Sequence, residues 1–308
     1  EEHRENVIKR HENIVQLGQE ESITKDYFRQ NTVTKTRNRF LMTTSKQFEN
    51  SSVLTAAYPA EPTAIIGVSC RFPGSANVNM FWENLKACKD LVTEIPADRW
   101  DWREYYGDPQ KYSNKTKSKW GGFIADIDKF DALFFNISPR EAELMDPQQR
   151  ITLEAVYHAL EDAGVCTNSI KGTNVGVFIG VCSSDYSTLL NQYTSLSNQA
   201  QFSTGVAHSV LVNRISYFLD VHGPSEPVDT ACSSSLIAIH RAVENIRNGH
   251  CDIAIAGGVN ALLSPELTLS FSQAGMLSED GGCKSFDQRA NGYVRGEGVG
   301  IIILKSLS

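Results

Sequence analysis

Residues 223–236 read GPSEPVDTACSSSL, and this stretch places a cysteine where an extended run meets a helix. The extended run ends in a tight turn, and the helix that follows begins near Cys232. One side of this helix is apolar and the pair Asn248-Gly249 ends it, the apolar positions being Leu236, Ile239, Ala242, Val243 and Ile246. The stretch therefore predicts a strand, a turn and an amphipathic helix in direct succession.

Four other short runs are apolar without polar alternation, which predicts strands buried on both faces. They are residues 64–68, 175–179, 253–256 and 299–304. A second helix is predicted to begin at Asp146, with Asp146 as N-cap, Pro147 at the first position and Gln149 as the partner of a capping box. Gly164 is predicted to end this helix. Strands separated by helices predict parallel pairing in an α/β sheet that helices cover on both faces.

The composition excludes several classes of protein. The chain has 308 residues, 41% of them hydrophobic, and its 29 basic and 36 acidic residues give a net charge of −7. A general nucleic-acid binder would be basic, and no apolar stretch is long enough to predict a membrane helix. The seven cysteines form no C-x-x-C pair, which favours a reduced, cytoplasmic protein without a zinc site.

The N-terminal segment differs in texture from the rest. Residues 1–60 are Gly-poor, and Val7, Ile8, His11, Ile14 and Val15 recur at roughly helical spacing. The segment is interpreted as a solvated linker or as a docking element for a partner, with a boundary near residues 59–62. Because residue 1 is Glu and neither an initiator Met nor a secretory signal is present, we expect an excerpt of a longer chain.

Cys232 is the candidate nucleophile. At the first turn of a helix, free backbone N–H groups and the helix dipole favour a thiolate, and three neighbouring serines leave room for a substrate. The alternative is that Cys232 is a small buried hydrophobe. Cys70, Cys182 and Cys251 flank apolar runs and are interpreted as packing residues, whereas Cys88, Cys166 and Cys283 have no partner at ligand spacing.

The run VDTACSSSL at residues 228–236 resembles the active-site motif of the β-ketoacyl synthase (ketosynthase) domains of modular type I polyketide synthases. Further blocks are similar to the same family in the same order, from about residue 62 to the last residue. They are AIIGVSCRFPG at 64–74, FFNISPREA at 134–142, MDPQQR at 145–150, RISYFL at 214–219, AGGVN at 256–260, SFD at 285–287 and GYVRGEG at 292–298. The run GPSEP at 223–227 and the run CSSDY at 182–186 resemble the corresponding segments of ketosynthases from synthases whose acyltransferase acts in trans.

The resemblance implies the first half of a thiolase-like fold, in which two similar β/α halves form α-β-α-β-α layers, and a homodimer. It also implies that Cys232 accepts an acyl chain from the phosphopantetheine arm of an acyl carrier protein. A carrier-bound malonyl-type extender is then decarboxylated and attacks the thioester in a Claisen condensation. The Cys232 N–H is expected in the oxyanion hole. No metal or organic cofactor, nucleic acid or membrane is implied as a partner.

The sequence departs from the family in one respect. Members pair the cysteine with two histidines of a second half, one in a His-Gly-Thr-Gly-Thr motif, and neither is found here. The resident histidines are interpreted as structural or solvated: His158, His208, His222, His240 and His250. An alternative therefore stays open, a non-elongating or split half-domain that transfers acyl chains or serves as an interaction module and needs a separate C-terminal half.

Four charged residues of the matching blocks are also interpreted as structural rather than catalytic. They are Asp229, Asp287, Arg295 and Glu297, which lie in Gly-rich loops whose backbone groups need side-chain partners.

Overall fold

The computed structural model describes residues 61–192 and 200–307, and the chain divides into two units, Glu1–Ala60 and Glu61–Ser308. The interpretation of residues 1–60 as a linker or docking element, with its helical spacing, lies outside the described residues. The strands are β1 Thr63–Arg71, β2 Thr93–Glu94, β3 Trp120–Gly122, β4 Val175–Gly180, β5 Ser225–Val228, β6 Ile253–Asn260, β7 Arg295–Gly296 and β8 Gly298–Ser306. The α-helices are α1 Val78–Lys86, α2 Pro139–Leu144, α3 Pro147–Asp162, α4 Asp185–Asn191, α5 Phe202–Val206, α6 His208–Leu219, α7 Ser234–Arg247 and α8 Glu266–Gln273.

All four predicted apolar runs form strands of one five-stranded sheet, in the order β1-β8-β6-β4-β5. Strands β6, β4 and β5 pair in parallel, as predicted. The expectation of parallel pairing is wrong for β8, which runs antiparallel to both β6 and β1. The sheet is therefore mixed. After α8, residues 274–297 lead the chain into β8, which runs in the direction opposite to β6.

Helices cover both faces of this sheet, which confirms the α/β prediction. Helix α7 packs on one face, against β4 and β6, and helices α3 and α6 pack on the other. The alternation of side chains along the strands separates two cores. In β6, for example, Ile255 joins the core under α3 and α6, whereas Ala254 and Ala256 join the core under α7.

Strand β1 is an exception to the prediction of burial on both faces. It lies at the edge of the sheet, and Ile65 is 63% exposed and Val68 38% exposed. Strand β4, an interior strand between β6 and β5, is buried along its whole length, as predicted. An apolar run of five residues does not distinguish an edge strand from a central one, which explains the error.

Helix α3 begins and ends where the sequence predicted. Asp146 is its N-cap and accepts a hydrogen bond from the Gln148 N–H, and Gly164 follows its end with φ +64°. The capping-box role of Gln149 is wrong. The Gln149 amide instead donates to the Gly205 carbonyl at 2.8 Å, so it fastens α3 to the segment ahead of α6.

Helix α7 also agrees with the sequence in its bounds, with Gly249 at φ +70° beyond its end. The predicted apolar side is confirmed at Ile239, Ala242, Val243 and Ile246, which pack in the core under α7. It is wrong at Leu236, which is 70% exposed. In residues 61–192 and 200–307, no helix combines the length and the apolar character that crossing a membrane requires.

Candidate active site

The turn between β5 and α7 is built from small polar groups that hold the chain around Cys232. Asp229 accepts the Ala231 N–H at 3.0 Å, and Ser234 accepts the Thr230 N–H at 2.9 Å. Ala231 has φ +53°, a left-handed conformation that disfavours residues with a side chain. A single 3₁₀ turn, Ala231–Ser233, follows and contains Cys232.

Cys232 is exposed, so the alternative that it is a buried packing residue is wrong. Within the described part of the chain, the Cys232 N–H has no backbone acceptor. Cys232 lies in the first turn of the helical segment, where no preceding carbonyl is placed to accept its N–H. An accessible thiol and a free N–H donor therefore meet at one residue. Such a pair suits a nucleophile whose attack places negative charge on a carbonyl oxygen.

Two glycines let the start of α7 approach the sheet. A Cβ added at Gly180 would lie 2.6 Å from the Ser234 carbonyl carbon and the Ser235 nitrogen. A Cβ added at Gly258, on the neighbouring strand β6, would lie 2.7 Å from the Ser235 Cβ. The turn that bears Cys232 thus rests directly on the backbones of β4 and β6.

Cys182, predicted to be a packing residue, lies instead beside this turn and is exposed. Partial burial of its sulfur raises the pKa of Cys182, and the charges of Asp229 and Cys232 raise it further. The packing interpretation is confirmed for Cys70 and Cys251, which are 7% and 2% exposed. Cys182 is the site residue that sequence reasoning missed; its position just beyond β4, at the same sheet edge as Cys232, was the available signal.

Arg295 is a charged neighbour of the site. Its guanidinium donates to the Thr268 hydroxyl at 2.8 Å and lies 5.1 Å from the ring of Phe271. Burial lowers the pKa of Arg295, and the Asp185 carboxylate opposes that shift. Asp185 in turn accepts the N–H groups of Leu263 and Ser264, so these charges hold the loop after β6.

Glu297 has a structural role, as predicted. Its side chain is 0% exposed and its carboxylate pairs with Arg99, whose Nε and Nη2 both donate at 2.8 Å. The remaining lone pairs accept the Ile124 N–H at 2.9 Å and the Leu262 N–H at 3.0 Å. This buried ion pair joins the small sheet β2-β3-β7 to the end of β6. The other two acidic residues predicted to be structural interact with residues close in sequence. Asp229 accepts the Ala231 N–H in the turn, and Asp287 pairs with Arg289.

The five histidines within residues 61–192 and 200–307 have polar partners other than Cys232. Four of them lie on the surface beside polar neighbours, namely His158 at Glu161, His222 at Asp220, His240 at Glu244 and His250 at Asn245. His208 is half-buried, and its Nε2 lies 3.0 Å from the Ser183 carbonyl oxygen. It therefore contacts the loop that begins with Cys182.

A buried hydrogen-bond network of Asp146, Gln148 and Ser183 holds the same loop. The Gln148 amide donates to the Ser183 carbonyl at 3.0 Å and accepts the Ser183 hydroxyl at 3.0 Å. Asp146, 3% exposed, accepts both the N–H and the side-chain amide of Gln148. Burial raises the pKa of Asp146 to about 6. The loop beside Cys232 is thus held by Gln148 of α3 together with His208 of α6.

The family model that matches the chain is that of the β-ketoacyl synthase N-terminal domain, over residues 60–308. The chain belongs to the β-ketoacyl synthase family. Among curated relatives, the polyketide synthase PksN of Bacillus subtilis is 54% identical over 247 residues, which are 80% of this chain and 4% of that protein. The polyketide synthase ThaG of Burkholderia thailandensis is 48% identical over 245 residues, again 80% of this chain and 4% of the relative.

Solved ketosynthases have the same fold as the described unit. The ketosynthase from module 6 of the bacillaene synthase of Bacillus subtilis 168 superposes with a TM-score of 0.71 at 44% identity, covering 80% of this chain and 40% of that one. The oxazolomycin ketosynthase domain OzmH KS7 of Streptomyces albus gives 0.73 at 41% identity, covering 79% and 43%. The thiolase-like fold is thereby confirmed for this ketosynthase N-terminal domain.

Proposed function

We propose that Cys232 is the nucleophile of a polyketide synthase ketosynthase and accepts an acyl chain from an acyl carrier protein. The observation that carries this proposal is the exposed Cys232 thiol next to its own free N–H, at the turn between β5 and α7. Support comes from the family to which the chain belongs, whose curated relatives are polyketide synthases.

In the loading step, the Cys232 thiolate attacks the carbonyl carbon of the acyl-phosphopantetheine thioester. Negative charge develops on the carbonyl oxygen, where the Cys232 N–H stabilises it; one such donor contributes about 3–4 kcal/mol to a transition state. The bond to the phosphopantetheine sulfur then breaks, and that thiol leaves with a proton. The acyl chain is now a thioester of Cys232.

In the condensation step, a malonyl-type extender on a second carrier protein loses carbon dioxide. The electron pair left on its α-carbon attacks the Cys232 thioester, a carbon–carbon bond forms, and the Cys232 thiolate is released. The family's histidines would assist this step from a C-terminal ketosynthase domain, on the same or another polypeptide, within a homodimer. Neither a metal nor an organic cofactor takes part, since phosphopantetheine arrives on the carrier protein.

The test is intact-protein mass spectrometry after incubation with an acyl-pantetheine thioester. The chain is prepared alone and together with a C-terminal ketosynthase domain, each as wild type, Cys232→Ala and Cys166→Ala. Cys166 is a matched control because it is exposed but lies on the loop ahead of β4. We expect one acyl adduct in wild type and Cys166→Ala, and none in Cys232→Ala. An adduct that persists in Cys232→Ala contradicts the proposal.

A carrier-bound malonyl extender added to the loaded protein separates elongation from transfer alone. Release of a chain lengthened by the extender supports the condensation, whereas a stable acyl adduct with no new product favours the acyl-transfer module left open by the sequence.

A further inference from the structure

Strand β4 directs Cys182 toward the helix that follows Cys232. Side chains alternate between the two faces of a strand, and those of Val177, Ile179 and Val181 join the core under α3 and α6. Phe178 joins the core under α7, and a Cβ at Gly180 would meet Ser234 and Ser235 at the start of α7. Cys182 is the next residue in this second series, so it stands on the face that carries the Cys232 turn.

The hydrogen-bond ladder brings the two segments together. The pairing of β4 with β5 continues past Gly180, because the Val181 N–H donates to the Val228 carbonyl at 3.0 Å. Neighbouring strands lie about 4.8 Å apart. Extended by two residues, this register places Cys182 opposite Thr230, two residues before Cys232. Cys182 and Cys232 leave the two strands at the same edge of the sheet.

The electrostatics of the site agree with this proximity. The charge of Cys232 contributes to the raised pKa of the Cys182 thiol, and it also acts on Tyr293. Both cysteines are exposed to solvent, so a small oxidant reaches them. Because a raised pKa keeps the Cys182 thiol protonated, we assign the first attack on the oxidant to Cys232.

We propose that Cys182 and Cys232 form a reversible disulfide when the protein is exposed to a peroxide, and that this disulfide blocks the nucleophilic thiol of Cys232. The proposal rests on the proposed function, because it takes Cys232 as the reactive thiolate. Cys182 then acts as its resolving thiol, a role distinct from loading or condensation.

The chemistry balances in two steps. The Cys232 thiolate attacks one oxygen of hydrogen peroxide, the O–O bond breaks, and a sulfenic acid forms while hydroxide leaves and takes up a proton as water. The Cys182 sulfur then attacks the sulfenic sulfur, an S–S bond forms, and a second water leaves with the Cys182 proton. Two thiols lose two electrons to the peroxide, and a dithiol reductant returns them.

The experiment uses the whole 308-residue chain, fully reduced and then treated with hydrogen peroxide. Tryptic digestion separates the two cysteines cleanly, because residues 172–214 contain only Cys182 and residues 215–241 contain only Cys232. The variants are Cys182→Ser, Cys232→Ser and, as a matched control, Cys166→Ser. Intact mass, the mass of linked peptides and recovery after dithiothreitol are measured.

We expect wild type and Cys166→Ser to lose about 2 Da and to yield one linked pair of these peptides, which dithiothreitol separates. In Cys182→Ser, Cys232 should instead gain about 32 Da as an irreversible sulfinic acid. Peroxide followed by dithiothreitol should therefore restore acyl loading at least tenfold better in wild type than in Cys182→Ser, each relative to its untreated sample.

Two results would overturn the proposal: absence of the linked peptides in oxidised wild type, or a loss of about 2 Da in oxidised Cys182→Ser that matches the loss in wild type. Acyl loading of the fully reduced wild type, measured without peroxide, tests the proposed function separately. Reduced protein that loads an acyl chain but forms no disulfide refutes only the redox role of Cys182. A disulfide in a protein that never loads refutes only the acyl transfer.

Discussion

Replacing Glu297 by Met is expected to destabilise the domain more than any substitution of a surface charge. The change keeps the side-chain volume but removes the carboxylate that pairs with Arg99, whose side chain is 2% exposed. The Arg99 charge would remain buried, in contact with the Asp98 carboxylate, the Ile124 carbonyl and the Phe123 ring. The N–H groups of Ile124 and Leu262 would also lose their acceptor.

The magnitude follows from these losses. Removing one partner of a buried ion pair costs about 3–5 kcal/mol. Each buried N–H without an acceptor costs about 1–3 kcal/mol, so the upper end of the range, about 5 kcal/mol, is expected for Glu297→Met. For a domain of this size, each kcal/mol lowers the melting temperature by about 2–4 °C, which gives a shift of roughly 10–20 °C.

Urea unfolding followed by circular dichroism measures this free energy. Glu226→Met is the matched control, because Glu226 pairs with Arg241 at 2.6 Å but the two side chains are 39% and 52% exposed. The control should change the free energy of unfolding by less than about 1 kcal/mol. If Glu297→Met does not fold, the double variant Arg99→Met/Glu297→Met still tests the argument, since it removes the unpaired charge.

The double variant is expected to recover at least about 2 kcal/mol of the loss, because a buried pair replaced by apolar residues of similar volume is tolerated. The reasoning is refuted if Glu297→Met costs no more than Glu226→Met. It is also refuted if the double variant is as unstable as the single one, since the cost would then not come from the unpaired Arg99.

The remaining predictions concern the support of the site. The Asp146 carboxyl, whose pKa burial raises to about 6, keeps a proton in the folded protein that the unfolded chain releases at about pH 4. The free energy of unfolding should therefore fall as the pH rises from about 4 to about 6, and Asp146→Asn should flatten that slope in urea titrations; an unchanged slope argues against it. Gly180→Ala places a Cβ 2.6 Å from the α7 backbone and should cost about 1–3 kcal/mol and slow acyl loading. Gly282→Ala, whose Cβ would meet no atom closer than 3.8 Å, should leave loading and stability nearly unchanged, and equal losses in the two variants would contradict the packing argument.

Local patterns in the sequence predicted much of this fold. The strands β1, β4, β6 and β8, both ends of α3 and the bounds of α7 follow from apolar runs, caps and glycines close in sequence. The antiparallel direction of β8 did not follow, because hydropathy does not record which way a strand runs. The exposure of Ile65 was missed for a similar reason, since a strand's neighbours are set by distant parts of the chain.

The candidate site divides in the same way. The turn that bears Cys232 is local, and its motif identified the nucleophile candidate from the sequence. The contact of Glu297 with Arg99 spans 198 positions and the contact of Ser183 with Gln148 spans 35, and no local pattern predicts such pairs. A glutamate between Gly296 and Gly298, directly ahead of the apolar run 299–304, was a signal that this charge is buried and paired.

The most direct test of the central claim is the mass of the reduced chain, with a C-terminal ketosynthase domain present, after exposure to an acyl-pantetheine thioester. The account predicts one acyl group on the peptide 215–241, which contains Cys232, and none in the Cys232→Ala variant. An acyl group on another peptide, or no adduct in protein shown to be folded, would contradict the assignment of Cys232 as the nucleophile.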